Sequence, residues 1–277
     1  MDAVRALFRR TILAFLATVG VLVGFGLLMG AAESFATQKL YALFGWESIV
    51  VTGLVGTPVH ELGHFLGCKL FGMQVSEVSL FRPVEGRADG ILGFVRFSYD
   101  PSSLWQRLGC FFIGIAPMLF GVAVILLLTR ILAPEIFFSV RKAVTTRQKK
   151  TNSPVALTFS AIGGAFGGFG SLFKKNLFAV LRGLLCLYLT CSVSIHMSLS
   201  LADMKGAAVG LLVVLAMCVI YAAISLLAGW KAEKQLSRLA ASLSLFFGIG
   251  LLLCLLTLGA ALLIDLIRTR VSMSNSP

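Results

Sequence analysis

The chain has few charged residues. Asp, Glu, Lys and Arg together make up 13% of its 277 residues, about half of the share that is typical of a soluble domain. Hydrophobic residues make up 58% of the chain, and the mean hydropathy is +0.94. These values exclude a disordered tail protein and a pair of soluble domains. They favour a single membrane-embedded domain over residues 1–277.

Acidic residues are especially scarce, with 12 Asp and Glu against 24 Lys and Arg, which gives a net charge of +12. Such a charge is also seen in nucleic-acid-binding proteins. Here, however, the basic residues lie between apolar runs, and Lys and Arg commonly flank membrane spans. We therefore expect the lipid bilayer, and no nucleic acid, as the partner of this charge.

The cysteine spacing gives no sign of a disulfide scaffold or of a cysteine zinc site. No two cysteines have CxxC spacing, and all of them lie within or beside apolar runs. We interpret them as small, buried and reduced side chains. The six are Cys68, Cys110, Cys186, Cys191, Cys218 and Cys254.

Long apolar runs recur along the chain. Runs of 18 or more apolar residues predict membrane-spanning helices, and the sequence predicts about six of them. Their ranges are 11–32, 48–71, 105–129, 178–202, 206–229 and 241–267. The first run is too long for the core of a signal peptide, so we expect an uncleaved first span. The predicted fold is an all-α polytopic membrane protein.

Two connections between the predicted spans have distinctive compositions. Residues 74–103 have Val-, Phe- and Ile-rich flanks around a middle that contains Pro and Gly. This pattern predicts a small membrane-associated β-hairpin after the second span. Residues 130–176 form a basic connecting loop. Its glycine-rich apolar segment 161–170 is expected to lie on the surface or to re-enter the membrane.

Two of the three histidines stand four residues apart in the second span, in the segment His60-Glu61-Leu62-Gly63-His64. This spacing puts both imidazoles on one face of a helix, where they can bind one metal ion. Glu61 is rotated by about 100° and can act as a general base on metal-bound water. The alternative is that these side chains only pack helices together. Burying them without partners would be costly.

A catalytic zinc site needs a third protein ligand, and Asp203 at the end of the predicted fourth span is the candidate. His196 lies seven residues earlier, so on one helix the two would share a side about 10.5 Å apart. We expect His196 to line the site and hydrogen-bond substrate or a developing oxyanion. Alternatively, His196 is the ligand or a packing residue, and Asp203 is a helix cap or a surface residue. Cys68 also follows the His60–His64 face, and we expect it to pack there.

Pro117 lies inside the third span, where it should bend the helix and leave a backbone carbonyl without its usual donor. An intramembrane HExxH helix, a β-hairpin, a Pro-kinked span and an Asp at the end of a later span resemble, in this order, the site-2 protease family of intramembrane zinc metalloproteases. The resemblance covers the expected catalytic core, residues 48–121 and 178–207.

The resemblance implies a role for each matching residue. His60, His64 and Asp203 would hold one zinc ion per chain, and Glu61 would be the catalytic base. The sequence departs from the family pattern in two places. Neither Asn nor Pro precedes Asp203, and Met204 follows it where the family has Gly. In the third span, Phe120 stands where the family has Asn.

The expected function is hydrolysis of peptide bonds in or near transmembrane segments of membrane proteins, with the hairpin edge holding the unwound substrate. One rival is a membrane-anchored HExxH protease that cuts juxtamembrane or misfolded segments and uses Glu135 as third ligand. Another is a non-proteolytic zinc-binding membrane transporter. We expect a multi-pass protein of a bacterial cell membrane with a cytoplasmic N-terminus. The sequence leaves the oligomeric state open.

Overall fold

The structure, a computed structural model, describes residues 2–151 and 153–274. These residues form helices and one small sheet. The elements are α1 (Asp2–Phe15), a π-helical turn (Leu16–Gly20), α2 (Val21–Phe44), α3 (Trp46–Leu70), β1 (Gln74–Ser79), α4 (Gly86–Asp89), β2 (Phe94–Ser98), α5 (Leu104–Leu132), α6 (Pro134–Gln148), α7 (Pro154–Phe173), α8 (Leu177–Ile195), α9 (Leu201–Leu227) and α10 (Ala232–Ser274).

Six helical segments of the described chain are long and apolar enough to cross a membrane, by length and composition. They are Asp2–Phe44, Leu104–Leu132, Val155–Phe173, Leu177–Ile195, Ala202–Leu227 and Ala232–Val271. This result confirms the predicted all-α polytopic fold. The six differ in one member from the predicted spans, because α3 is absent from the set and α7 belongs to it. The polar residues of the HExxH segment lower the hydropathy of α3.

The glycine-rich segment 161–170 is part of the regular helix α7, which is long and apolar enough to cross a membrane, whereas the sequence favoured a surface-lying or re-entrant segment over a span. Its glycines allow α6 to pack closely along α7. A Cβ atom at Gly164 would lie 2.8 Å from Val140 Cα, and one at Gly168 would lie 2.5 Å from Ile136 Cα. Close packing against a neighbouring helix thus explains a composition that looked unsuited to a span.

The predicted fourth span, 178–202, ends early. Helix α8 ends at Ile195, residues 196–200 form a loop, and Ser200 begins α9 as its N-cap. The Ser200 hydroxyl accepts a hydrogen bond from the Asp203 amide, and the Asp203 carboxylate accepts one from the Ser200 amide. This capping box starts a new helix. His196 and Asp203 therefore lie on different elements, and the predicted single-helix geometry is wrong.

The predicted β-hairpin is confirmed. β1 pairs antiparallel with β2, from Gln74 opposite Ser98 to Ser79 opposite Phe94. The connection between the strands is longer than a tight turn and contains α4. It reaches the N-terminal end of α3, where the Trp46 indole donates to the Pro83 carbonyl at 2.9 Å. The hairpin therefore runs back along α3.

α3 lies between α5 and α8, and its glycines allow both helices to approach. A Cβ atom at Gly56 would collide with the Ser192 carbonyl of α8. On the α5 side, a Cβ atom at Gly63 would lie 3.1 Å from the backbone of Pro117. The HExxH segment is therefore enclosed by backbone on two sides, and its polar side chains have backbone groups within reach.

Candidate metal centre

Three side chains from two helices converge in the middle of the bundle. His60 and His64 come from α3, and Asp203 comes from the first turn of α9. The two Nε2 atoms lie 3.1 Å apart, and His64 Nε2 lies 3.0 Å from Asp203 Oδ1. His60 Nε2 lies 3.8 Å from Asp203 Oδ2. One ligand atom of each residue lies within 4.8 Å of the others, so the three can hold one metal ion.

The other ring nitrogen of each histidine contacts a backbone carbonyl. His60 Nδ1 lies 2.6 Å from His196 O, and His64 Nδ1 lies 2.9 Å from Ile113 O. A carbonyl oxygen only accepts, so each Nδ1 donates and each neutral ring keeps the lone pair on Nε2. A metal-binding histidine is typically oriented in this way by a partner outside the coordination sphere.

Both carbonyls are free to accept because of the local chain structure. Ile113 lies four residues before Pro117 in α5, and a proline has no N–H to donate to that carbonyl. His196 follows the last residue of α8, where helical carbonyls lack donors in the next turn. Pro117 was expected to free a backbone carbonyl. The structure shows that this carbonyl is that of Ile113 and that it accepts from the His64 ring.

Asp203 is fixed by its own helix start. The Ser200 hydroxyl donates to Asp203 Oδ2 at 2.6 Å, and the Ser200 amide donates to the same oxygen at 2.9 Å. The other carboxylate oxygen, Oδ1, faces His64 Nε2. A Cβ atom at Gly114 of α5 would lie 2.7 Å from the Asp203 carbonyl oxygen. The small residue on α5 lets the first turn of α9 approach the HExxH helix.

The chemistry of this donor set fits a zinc ion. With both Nδ1 atoms protonated, the two Nε2 atoms and the carboxylate oxygens are all acceptors, and acceptors at 3.0–3.1 Å repel without a cation or a proton between them. Two nitrogens on a tetrahedral zinc, with bonds of about 2.0–2.1 Å, stand roughly 3.3 Å apart. Three protein ligands would leave the fourth position of a tetrahedral zinc ion open.

Glu61 lies beside the three ligands and outside their group. It is buried, and no described residue hydrogen-bonds its carboxylate. The segment that enters β2 covers it, because a Cβ atom at Gly93 would lie 2.8 Å from Glu61 Cγ. Its carboxylate is thus available to a water molecule or to a substrate.

The remaining sequence candidates lie elsewhere. The His196 ring packs against α3, with Nε2 3.4 Å from the Thr52 hydroxyl, and the His196 carbonyl contacts His60 Nδ1. Cys68 is fully buried among apolar side chains. Glu135 binds Lys175 at 2.6 Å and Arg182 at 3.1 Å. All six cysteines are free thiols.

The sequence reasoning missed Glu33, which lies one residue beyond the predicted first span. Its carboxylate accepts a hydrogen bond from the Ser198 hydroxyl in the loop between α8 and α9. This loop also supplies the His196 carbonyl and leads into Asp203. An acidic residue at the edge of an apolar run was the available signal, since ionisable residues in membrane helices are functional candidates. Pro117 was the signal for the free carbonyl of Ile113, whereas no residue type indicated the role of the His196 carbonyl.

Comparison with protein-family models, with curated proteins and with solved structures found no match to this chain.

Proposed function

We propose that the chain is an intramembrane zinc metalloprotease of the site-2 protease type, which hydrolyses peptide bonds in or near transmembrane segments of membrane proteins. The convergence of His60, His64 and Asp203 beside Glu61 supports this proposal most strongly. The proposal includes one zinc ion per chain and a bacterial cell membrane with the N-terminus on the cytoplasmic side.

The chain's own residues have separate tasks in this reaction. His60, His64 and Asp203 would hold the ion, which supplies Lewis-acid activation of a water molecule and of the peptide carbonyl. Glu61 takes a proton from the attacking water and returns it to the leaving amine. Its carboxylate is suited to this exchange because no described group occupies it.

The hairpin offers a place for the unwound substrate. A helical substrate hides its carbonyls in internal hydrogen bonds, so it must become extended before cleavage. β1 and β2 form a two-stranded sheet, and each strand has its other edge unpaired within that sheet. An extended peptide can add to such an edge. The hairpin also reaches Glu61 through Gly93.

The structure argues against the rival function, a membrane-anchored HExxH protease with Glu135 as its third metal ligand. Glu135 would have to join His60 and His64, yet its carboxylate is bound by Lys175 and Arg182. A zinc transporter and a protease predict different behaviour of the Glu61 variant. Zinc or proton flux through liposomes that survives Glu61→Gln would favour transport.

The test is zinc content by mass spectrometry on purified protein, together with cleavage of a reporter chain that carries one transmembrane helix, reconstituted in liposomes. Wild type should hold about one zinc and cut the reporter. Glu61→Gln should keep the zinc and lose cleavage, and Asp203→Ala should lose both. Glu135→Gln is the matched carboxylate control and should keep both. A zinc-free wild type with an intact fold contradicts the proposal.

A further inference from the structure

The hydroxyl of Thr57 on α3 is buried without a hydrogen-bond partner. Thr57 is 6% exposed, so solvent does not compensate the missing bond. A buried polar group without a partner is unfavourable for folding. An unpaired hydroxyl at this place therefore suggests a partner that comes from outside the chain.

Other threonines show how this chain usually satisfies a helical hydroxyl. Among the described helices, seven threonines donate to the carbonyl four residues earlier: Thr18, Thr52, Thr129, Thr145, Thr190, Thr257 and Thr269. Thr57 makes no such bond. Even the carbonyl of Leu54, which loses its helical donor because Pro58 has no N–H, does not receive the Thr57 hydroxyl.

Thr57 lies one turn before Glu61 on the same face of α3. The two side chains share a cover, the Leu92–Gly93 segment of the hairpin. A Cβ atom at Gly93 would lie 2.9 Å from Thr57 Cγ2 and 2.8 Å from Glu61 Cγ. A Cβ atom at Gly53 would lie 2.9 Å from Thr57 Oγ1 and 2.5 Å from Leu92 Cδ1.

The cover explains why the hydroxyl is unpaired. The side chain of Leu92, which is apolar and 8% exposed, lies beside the hydroxyl, because Leu92 Cδ1 and Thr57 Oγ1 both flank the Cβ position of Gly53. A leucine can exclude water from the hydroxyl but offers it no acceptor. A peptide in the same place would offer backbone carbonyls, which an extended substrate no longer uses internally.

We infer that Thr57 is a substrate-contacting residue, whose hydroxyl donates to a backbone carbonyl of the peptide bound beside Glu61, in the space that Leu92 fills in this structure. The inference rests on the proposed proteolytic function. It assigns the segment Leu92–Gly93 a second position, withdrawn from α3, when substrate is bound.

The experiment compares Thr57→Val and Thr57→Ser with wild type in zinc content, thermal unfolding midpoint in detergent, and cleavage of the single-helix reporter in liposomes. Thr57→Val removes only the unpaired hydroxyl, so zinc should stay at about one per chain and the midpoint should stay or rise. kcat/KM should fall about tenfold, as expected for one lost hydrogen bond. Thr57→Ser keeps the hydroxyl and should recover most of this loss.

Thr190→Val is the matched control, because Thr190 is also buried in a helix but donates to Cys186 O at 2.8 Å. It should lower the midpoint and leave kcat/KM unchanged. Wild-type kcat/KM in Thr57→Val overturns the inference and leaves the proposed function standing. A lower midpoint with zinc loss in Thr57→Val shows a structural role and also overturns it. A wild type without zinc and without cleavage overturns the proposed function and this inference with it.

Discussion

At the residue scale, the candidate centre depends on backbone groups as much as on side chains. The His64 ring is oriented by the Ile113 carbonyl, and that carbonyl is available because Pro117 stands four residues later. The His60 ring is oriented by the His196 carbonyl at the end of α8. A proline and a helix terminus thus fix both imidazoles in the same tautomer.

Replacing Pro117 by Ala should weaken binding of the proposed zinc ion without unfolding α5. Alanine supplies an N–H that can bond the Ile113 carbonyl within the helix, so the His64 Nδ1 loses its exclusive acceptor. Loss of a partner outside the coordination sphere typically costs about 10–100-fold in metal affinity. Competition with a chelator of known affinity measures the change.

Pro58→Ala is the control for that experiment, because Pro58 is also inside a helix but frees a carbonyl, that of Leu54, to which neither histidine bonds. Its zinc affinity should equal that of wild type. Equal affinities for all three proteins would show that the Ile113 carbonyl does not orient His64.

The sequence predicted part of this centre for clear reasons. His60 and His64 share a face by spacing alone, so their convergence needs no tertiary information. Asp203 was selected because it is an acidic residue at the end of a predicted span, and its assumed place on the helix of His196 was wrong. The capping box at Ser200 and Asp203 was readable as a helix start. Which carbonyls the rings contact depends on how α5 and α8 pack against α3, and periodicity does not reveal this.

At the element scale, the segment Leu92–Gly93, which leads into β2, covers the site. Gly93→Ala should reduce the proposed cleavage at least about tenfold and leave zinc content unchanged. The added Cβ disturbs the hairpin at Leu80 whether or not the segment has withdrawn from α3, and small displacements near reacting groups are costly. The added Cβ would lie 2.8 Å from Glu61 Cγ and 3.0 Å from the Leu80 carbonyl, which is backbone and cannot rotate away. Reporter cleavage and mass spectrometry on the same preparation check both parts.

Gly206→Ala serves as the control, because it adds a Cβ in α9 where nothing lies within 4 Å. It should cut the reporter as wild type does. Normal cleavage by Gly93→Ala would mean that the backbone of the hairpin at Gly93 and Leu80 does not have to keep this shape for cleavage.

Glu135 lies near the start of the basic connection 130–176 and pairs with Lys175 near its end. The Glu135 side chain is 12% exposed. The hydrogen bond from Lys175, with Arg182 nearby, lowers the pKa of Glu135. A lowered folded-state pKa means that the carboxylate stabilises the fold above its unfolded pKa of about 4.3. This stability is lost as the pH falls through the lower folded value.

Glu135→Gln should therefore lower the thermal midpoint at pH 7, and the difference from wild type should shrink as the pH falls below about 4.3. Glu77→Gln is the control, because the Glu77–Arg96 pair is exposed on both sides and such pairs contribute little. A midpoint difference for Glu135→Gln that stays constant down to the acid limit would contradict the assignment of the stability to this ion cluster.

At the scale of the whole molecule, composition alone determined the fold class, because apolar runs of this length have few other stable environments. Composition did not determine which helices are long and apolar enough to cross the membrane. α3 carries the HExxH residues and falls below the hydropathy of a span, while glycine-rich α7 reaches it. The path of the hairpin back along α3 also depends on long-range contacts, such as Trp46 to Pro83, which no local pattern encodes.

The helix Asp2–Phe44 decides the orientation of the bundle. Arg9 and Lys39 are 30 residues apart on it, which is about 45 Å and more than the roughly 30 Å of the hydrocarbon core. The ends are tied to α10 by the pairs Arg9–Glu233 and Lys39–Asp265. The hairpin tip contacts Glu47 through Arg87, just beyond the Lys39 end.

Cysteines introduced at Arg5 and at Glu85 should consequently react with a membrane-impermeant maleimide from opposite sides. With the N-terminus cytoplasmic, Glu85→Cys should react in intact cells and Arg5→Cys only after permeabilisation. Wild type is the background control, since five of its six thiols are buried and Cys191 is half-buried. The reverse pattern would invert the proposed orientation while keeping the bundle. Reaction of both from one side would contradict a crossing by Asp2–Phe44, because this helical segment connects the Arg5 end to the end beside which the hairpin tip lies.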